Sequence, residues 1–268
     1  MSAIDQLFKQ LRSRGQKALM PFITAGDPDL EFTADVLAEL ARRGAHLCEL
    51  GIPYSDPIAD GPVIQASYTR ALARGVKLSQ ILEMAGRAGA GLSMPLVTMV
   101  SYAIIHRRGP ERYVAEATRA GVAGLIVPDL LVEESAGLAE LCGAADLSLV
   151  QLVTPTTPRP RAVRIAASST GFLYYVSVTG ITGERTTLPD SLLDDVGWLR
   201  EQTELPICIG FGISTPQHVE VLAPVADGLI VGSAIVRRIA EAGTRPRAQV
   251  LGEVGDYVST LLAALNKQ

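Results

Sequence analysis

The sequence predicts an α/β protein folded as a single (β/α)8 TIM barrel with an extra N-terminal helix. Three observations carry that expectation: eight short apolar runs, helical-period segments alternating with them, and a length close to the ~250 residues typical of such barrels. The chain has 268 residues, 48% hydrophobic and 19% charged. That balance excludes a disordered chain and supplies apolar side chains for one large core. No linker or low-complexity tract interrupts the alternation, so one catalytic domain is expected over 1–268.

A leading amphipathic helix is expected from Ser2 to Arg14. Apolar and β-branched runs then predict strands at 18–25, 46–51, 95–100 and 124–128, followed by 147–153, 171–178, 206–212 and 227–232. Between them, Asp27-Pro28-Asp29 opens a helix that ends at Arg43-Gly44, Pro110 opens one that ends at Ala120-Gly121, and Thr215-Pro216 opens another. Proline at the first helical position and glycine past the last mark these boundaries. Near-continuous apolar strands separated by helices mean a parallel sheet covered on its outer face. A doubly wound open sheet is the competing arrangement. In a barrel, chemistry belongs at the C-terminal ends of the strands and in the loops that follow.

Composition removes several function classes. The net charge of −4, from 24 Lys+Arg against 28 Asp+Glu, argues against nucleic acid or an anionic membrane as partner. No apolar run reaches spanning length, and the N-terminal segment lacks the apolar core of a signal peptide, so a cytoplasmic protein is expected. Cys48, Cys142 and Cys208 stand singly in apolar stretches and read as buried thiols. Only four basic residues are lysines (Lys9, Lys17, Lys77, Lys267), and none is expected at a strand end, which disfavours imine chemistry. His46, His106 and His218 are too scattered to suggest a metal centre. Carboxylate acid–base chemistry on a phosphorylated small molecule is what remains.

The candidate residues fit that remainder. Gly210-Phe211-Gly212 ends the seventh strand, and Gly232-Ser233 joins the eighth to a helix. A lone glycine there reads as a tight turn. Two such turns, on the last two strands of an eightfold pattern, read as a phosphate site built from backbone N–H groups and a helix N-terminus. Glu49 ends the second strand within an apolar run, where burial should raise its pKa; a rim ion pair is the alternative. The loop 52–62 that follows carries Asp56 and Asp60, each of which could equally be a turn former or helix cap. The Gly- and Thr-rich segment 178–189 after the sixth strand has the composition of a mobile lid.

Six ordered segments then point to one family: MPFITAGDPD, ELGIPYSDPIADGP, GLIVPDL, SVTGITGER, IGFGIS and DGLIVGSAIV. Spread over nearly the whole chain, they resemble the tryptophan synthase α subunit. The ELG-P-SDP-ADGP block is specific to that family, whereas the glycine turns are shared with other phosphate barrels. The resemblance implies retro-aldol cleavage of indole-3-glycerol phosphate to indole and glyceraldehyde 3-phosphate, without cofactor or metal. It also implies a pyridoxal-phosphate β subunit as partner in an α2β2 assembly that makes tryptophan. It gives Glu49 and Asp60 the catalytic roles. Phe22, Tyr174 and the lid residue Thr182 fall in the indole pocket, and Gly183, Phe211, Gly212, Gly232 and Ser233 at the phosphate. Ser55, Asp56 and Pro57 fall on the β-facing side.

The chain departs from the family pattern after the third strand, at Met99-Val-Ser-Tyr-Ala103, and after the fourth, at Asp129-Leu130-Leu131. Both loops face the partner in the family, so the resemblance is closer over the catalytic segments. A stand-alone lyase releasing free indole and a mainly regulatory, β-activating subunit are the two alternatives. Another sugar-phosphate barrel of tryptophan or histidine biosynthesis is disfavoured. One such enzyme would need a strand-end lysine, and the other a cysteine where this chain has Thr24 and Ala25.

Overall fold

The computed structural model describes residues 2–57, 60–177, 190–210 and 212–267. Eight parallel strands close on themselves in sequence order. The first half contains α1 (Ala3–Ser13), β1 (Ala18–Thr24), α2 (Leu30–Arg42), β2 (Cys48–Gly51), α3 (Pro62–Ala73), α4 (Leu78–Gly89), β3 (Leu96–Met99), α5 (Tyr102–Arg108), α6 (Pro110–Arg119) and β4 (Val122–Ile126). The second contains α7 (Ala136–Ala144), β5 (Ser148–Val153), α8 (Arg159–Ser168), β6 (Leu173–Val176), α9 (Asp190–Gln202), β7 (Ile207–Gly210), α10 (Pro216–Leu222), β8 (Gly228–Val231), α11 (Ser233–Ala240) and α12 (Arg247–Leu265). The barrel expectation is met, with two refinements. The fourth strand begins two residues before its expected start, and helix pairs follow β2, β3 and β8.

The strands read as unbroken apolar runs because both of their faces are buried. On β1, Leu19 and Ile23 pack outward against the helices, while Ala18, Met20 and Phe22 point into the barrel. On β6 the same alternation puts Leu173 and Tyr175 outside and Tyr174 inside. Closure leaves no sheet edge, and the shared interior fixes which side chains meet at each level.

The leading helix closes the N-terminal end of the barrel. Ser2 caps it: Asp5 N donates to Ser2 Oγ at 3.2 Å, and Ser2 N donates to the Asp5 carboxylate at 2.9 Å. This reciprocal box satisfies two otherwise orphan N–H groups. Its apolar stripe, Ile4, Phe8 and Leu11, is buried in the barrel's own core cluster, with Phe8 5.9 Å from Phe172 between ring centres. Ser148 Oγ donates to Ser2 Oγ at 2.9 Å, and Arg12 pairs with the largely buried Asp227.

At the opposite end, α3 is fastened to the first strand and its loop. Thr24 Oγ1 and Ser67 Oγ lie 2.6 Å apart, and Arg70 makes a two-pronged ion pair with Asp27 at 2.9 and 2.7 Å. Asp27 is therefore a buried anchor. The cap of α2 is Asp29, which accepts from Phe32 N at 2.9 Å.

Replacing Phe8 by Ala empties the barrel floor and should cost about 3–5 kcal/mol, the range for deleting a buried aromatic side chain. A lowered urea midpoint with unchanged m-value would register it. Because the floor lies at the end remote from the strand C-termini, kcat per folded molecule should stay the same.

Candidate active site

Glu49 projects inward from β2, level with Phe22 on β1 and Val97 on β3. Its side chain is fully buried, and neither carboxyl oxygen has a hydrogen-bond partner among the described residues. Among the described residues no ion pair at a barrel rim holds it as an anion. Burial alone pushes its pKa well above the ordinary carboxylate range. Burial therefore favours the neutral acid, the form able to give a proton.

Asp60 occupies a different environment. It precedes α3, whose N-cap is Gly61 with no side-chain cap and whose first residue is Pro62, so the Asp60 carboxyl is not spent on capping. Half-buried, it has its pKa raised by burial to about 6. It is therefore mostly ionised at pH 7, whereas complete burial shifts Glu49 further toward its neutral form. Asp56, by contrast, is exposed and accepts from Ser55 Oγ at 2.5 Å, as a turn former does; Pro57 completes that surface turn, its carbonyl accepting from Gln65 Nε2 at 3.2 Å.

Three aromatic rings shape the space around the carboxyls. Phe22 and the Tyr68 hydroxyl converge over Gly51, filling the place a side chain would take; the hydroxyl lies 2.9 Å from where a Cβ would stand. Tyr174 does the same over Gly210. Any larger residue at Gly51 or Gly210 would displace these rings. The phenol pKa values of Tyr68 and Tyr174 are both driven up, chiefly by burial and further by the Asp60 and Glu49 carboxyls where these are ionised.

The glycine turns lie beside this space. Gly212 has φ +76°, a left-handed conformation that favours glycine, and its turn leads to Thr215, the N-cap of α10. Gly232 caps α11, with Ser233 as the first helical residue. A Cβ at Gly232 would stand 3.6 Å from the Phe22 ring, so that helix N-terminus opens onto the aromatic wall.

The structure thus brings together Glu49, Asp60, Phe22, Tyr174, Gly232 and Ser233 at the C-terminal end of the barrel, with Gly212 on the adjacent turn. Thr182, Gly183 and Phe211, and the lid segment 178–189, lie outside the described residues. Sequence reasoning missed Tyr68, Ile64 and Val236, which form one buried cluster with Phe22. The 64/68 spacing on the helix behind Asp60 is the signal that could have found two of them, since residues four apart share a helix face. All three cysteines are buried and free. Among the described residues no helix is long and apolar enough to cross a membrane.

A closed parallel barrel with two carboxyls of raised pKa at its C-terminal face, beside a helix N-terminus, has the layout of a (β/α)8-barrel enzyme. Comparison with known proteins narrows this class. The family model described as tryptophan synthase alpha chain matches residues 8–263. The chain is 56% identical to the tryptophan synthase alpha chain of Rhodopirellula baltica over 99% of both chains, and 50% identical to that of Prochlorococcus marinus (strain MIT 9313) over 94% of this chain and 92% of the other. Among solved structures, tryptophan synthase subunit alpha of Legionella pneumophila superposes with a TM-score of 0.90 at 34% identity, covering 99% of each chain. A chain of tryptophan synthase from M. tuberculosis does so with 0.88 at 25%, covering 99% of this chain and 100% of that one. The chain belongs to the tryptophan synthase alpha chain family.

Glu49 binds a proton more tightly folded than unfolded, so it opposes folding progressively as pH rises from about 4.5 toward its raised folded value. Glu49→Gln removes that penalty. The melting-temperature difference, variant minus wild type, should therefore be more positive at pH 8 than at pH 4.5. A difference independent of pH would contradict the buried, neutral assignment.

Proposed function

We propose that this chain cleaves indole-3-glycerol phosphate to indole and glyceraldehyde 3-phosphate, with its own residues and no cofactor. The observation that carries this reading is a pair of carboxyls in unlike surroundings at one end of the barrel, Glu49 fully buried with no hydrogen-bond partner among the described residues and Asp60 half-buried and not spent on capping. Glu49, neutral at the start, donates its proton to indole C3, and the ring becomes a cation centred on nitrogen. The Asp60 carboxylate accepts a hydrogen bond from the indole N–H as that charge develops. The Glu49 carboxylate then removes the proton from the glycerol hydroxyl next to the scissile bond. As that O–H electron pair forms the aldehyde, the C–C bond breaks and its electrons restore the neutral indole. Glu49 ends protonated, as it began. The protonated ring is the electron sink, which removes the need for an imine lysine or a Lewis acid.

Phe22 and Tyr174 bound the indole on two sides, with Thr182 assigned to the same pocket. The phosphate is assigned to the backbone N–H groups of Gly212, Gly232 and Ser233, with Gly183 and Phe211, and to the α11 dipole. Such a cradle needs no basic side chain, which suits a chain of net charge −4.

Glu49→Gln should slow indole release by roughly 10²- to 10⁴-fold, the usual contribution of a general acid–base, with KM little changed. In the wild type, kcat/KM should fall as pH drops through about 6, because Asp60 then loses the charge that accepts the indole N–H. Asp60→Asn should be slow throughout and lack that acid limb. Steady-state kinetics from pH 5 to 9 read both effects, and a wild-type rate in Glu49→Gln would sink the assignment.

The β partner and the α2β2 arrangement belong to the same reading. The loops after β3 and β4 are tied together, Asp129 accepting from Ser101 Oγ and from Tyr102 N, each at 2.7 Å. Beside them Leu131 is exposed, at 52%, on the same end of the barrel as the site. A preformed face with an exposed apolar side chain supports docking there, together with the Ser55-Asp56-Pro57 turn. Leu131→Asp should weaken association with a β subunit at least tenfold by calorimetry. Unchanged binding would move the interface elsewhere, and no association at all would favour the stand-alone lyase.

A further inference from the structure

The two turns assigned to phosphate come from different strands. β7 and β8 hold them at a set distance as far as Gly210 and Ile230, the last pair among the described residues. An anion cradle made of backbone N–H groups depends on the spacing of its two halves because hydrogen bonds weaken steeply off-line. A side chain belonging to neither turn spans the gap. The Tyr257 hydroxyl, from α12, donates to the Ser214 carbonyl at 2.9 Å, two residues past Gly212. The Arg238 guanidinium lies 3.6 Å from the centre of the Tyr257 ring and donates to the Ala234 carbonyl at 2.7 Å, in the first turn of the helix that starts at Ser233. Ser214, Tyr257, Arg238 and Ala234 thus form an unbroken chain of contacts from one turn to the other. Stacking on an aromatic face uses the flat guanidinium, which a lysine could not reproduce.

We infer that Tyr257 and Arg238 are positioning residues that set the spacing of the two anion-binding turns, and so govern phosphate affinity rather than the carboxylate chemistry. The inference rests on the phosphate assignment above. Neither side chain touches Glu49 or Asp60 in any contact described for them, so the effect reaches the substrate through the backbone of the turns.

The test measures calorimetric affinity of the full chain for sn-glycerol 3-phosphate, together with KM and kcat for indole-3-glycerol phosphate. Tyr257→Phe keeps the ring and its stack and deletes only the hydroxyl. Arg238→Met keeps the apolar stem and deletes the stack; if it fails to fold, Arg238→Lys keeps the charge without the flat contact. Each variant should bind glycerol phosphate about fivefold more weakly and raise KM by a similar factor, with kcat within twofold of wild type. Gly232→Asp is the control for the site itself: φ at Gly232 is −107°, outside the left-handed region, and a Cβ there meets only ordinary contact distances, so the substitution adds a negative charge where there is room for it. Loss of glycerol phosphate binding in Gly232→Asp, with wild-type affinity in Tyr257→Phe and the Arg238 variant, would overturn the inference and leave the phosphate site standing. A fall in kcat at unchanged KM would overturn it too. If glycerol phosphate does not bind the wild type, or binds Gly232→Asp equally well, the phosphate assignment is at fault and the inference falls with it.

Discussion

A carboxyl group with no hydrogen-bond partner lies in the interior of this barrel, and the surrounding structure is organised around carrying it. Burial penalises the Glu49 anion, which raises its pKa and favours the protonated form. Even a neutral carboxyl forgoes hydrogen bonds it would make in water. That loss is offset by burial elsewhere: every strand packs on both faces, and the leading helix fills the floor with Ile4, Phe8 and Leu11.

Stability and chemistry are therefore separated along the barrel axis. The N-terminal end is closed by apolar packing, the Ser2–Asp5 cap and the ion pairs of Asp227 with Arg12 and Arg200. At the C-terminal end, the Glu49 carboxyl has no hydrogen-bond partner among the described residues. Between the two, Gly51 and Gly210 give up their side chains so that Phe22, Tyr68 and Tyr174 can lie over the strands. Helix α3 holds this arrangement from outside: Arg70 is anchored on Asp27 and Ser67 on Thr24, while Asp60 stands just ahead of its first turn. One helix thus delivers both the second carboxyl and the Tyr68 wall.

Much of this was legible in the residues because local signals and burial agree. Strand positions followed from two-sided apolar runs, and the starts of α6 and α10 from Pro110 and Thr215-Pro216. Where two roles share a residue type, sequence did less well. Asp27, Asp29, Asp56 and Asp60 are all aspartates beside prolines or glycines. The structure makes them, in turn, a buried anchor, a helix cap, an exposed turn former and a half-buried carboxylate with a raised pKa. Tyr68 escaped notice because a tyrosine on an amphipathic helix reads as ordinary core. Only the missing side chain at Gly51 lets its hydroxyl reach the interior.

Residue order alone settled the eight-unit alternation, the absence of a strand-end lysine, the glycine turns after the last two strands and the family resemblance. These depend on periodicity and residue type, which are written locally. Tertiary closure decided the rest: that Glu49 faces inward with no cation beside it among the described residues, that Asp60 is free of capping, and that Arg238 stacks on Tyr257 across two helices. The reason is that a pKa, an unsatisfied hydrogen bond and a contact between distant segments are properties of what surrounds a group. In a closed barrel those surroundings come from strands and helices far apart in the chain.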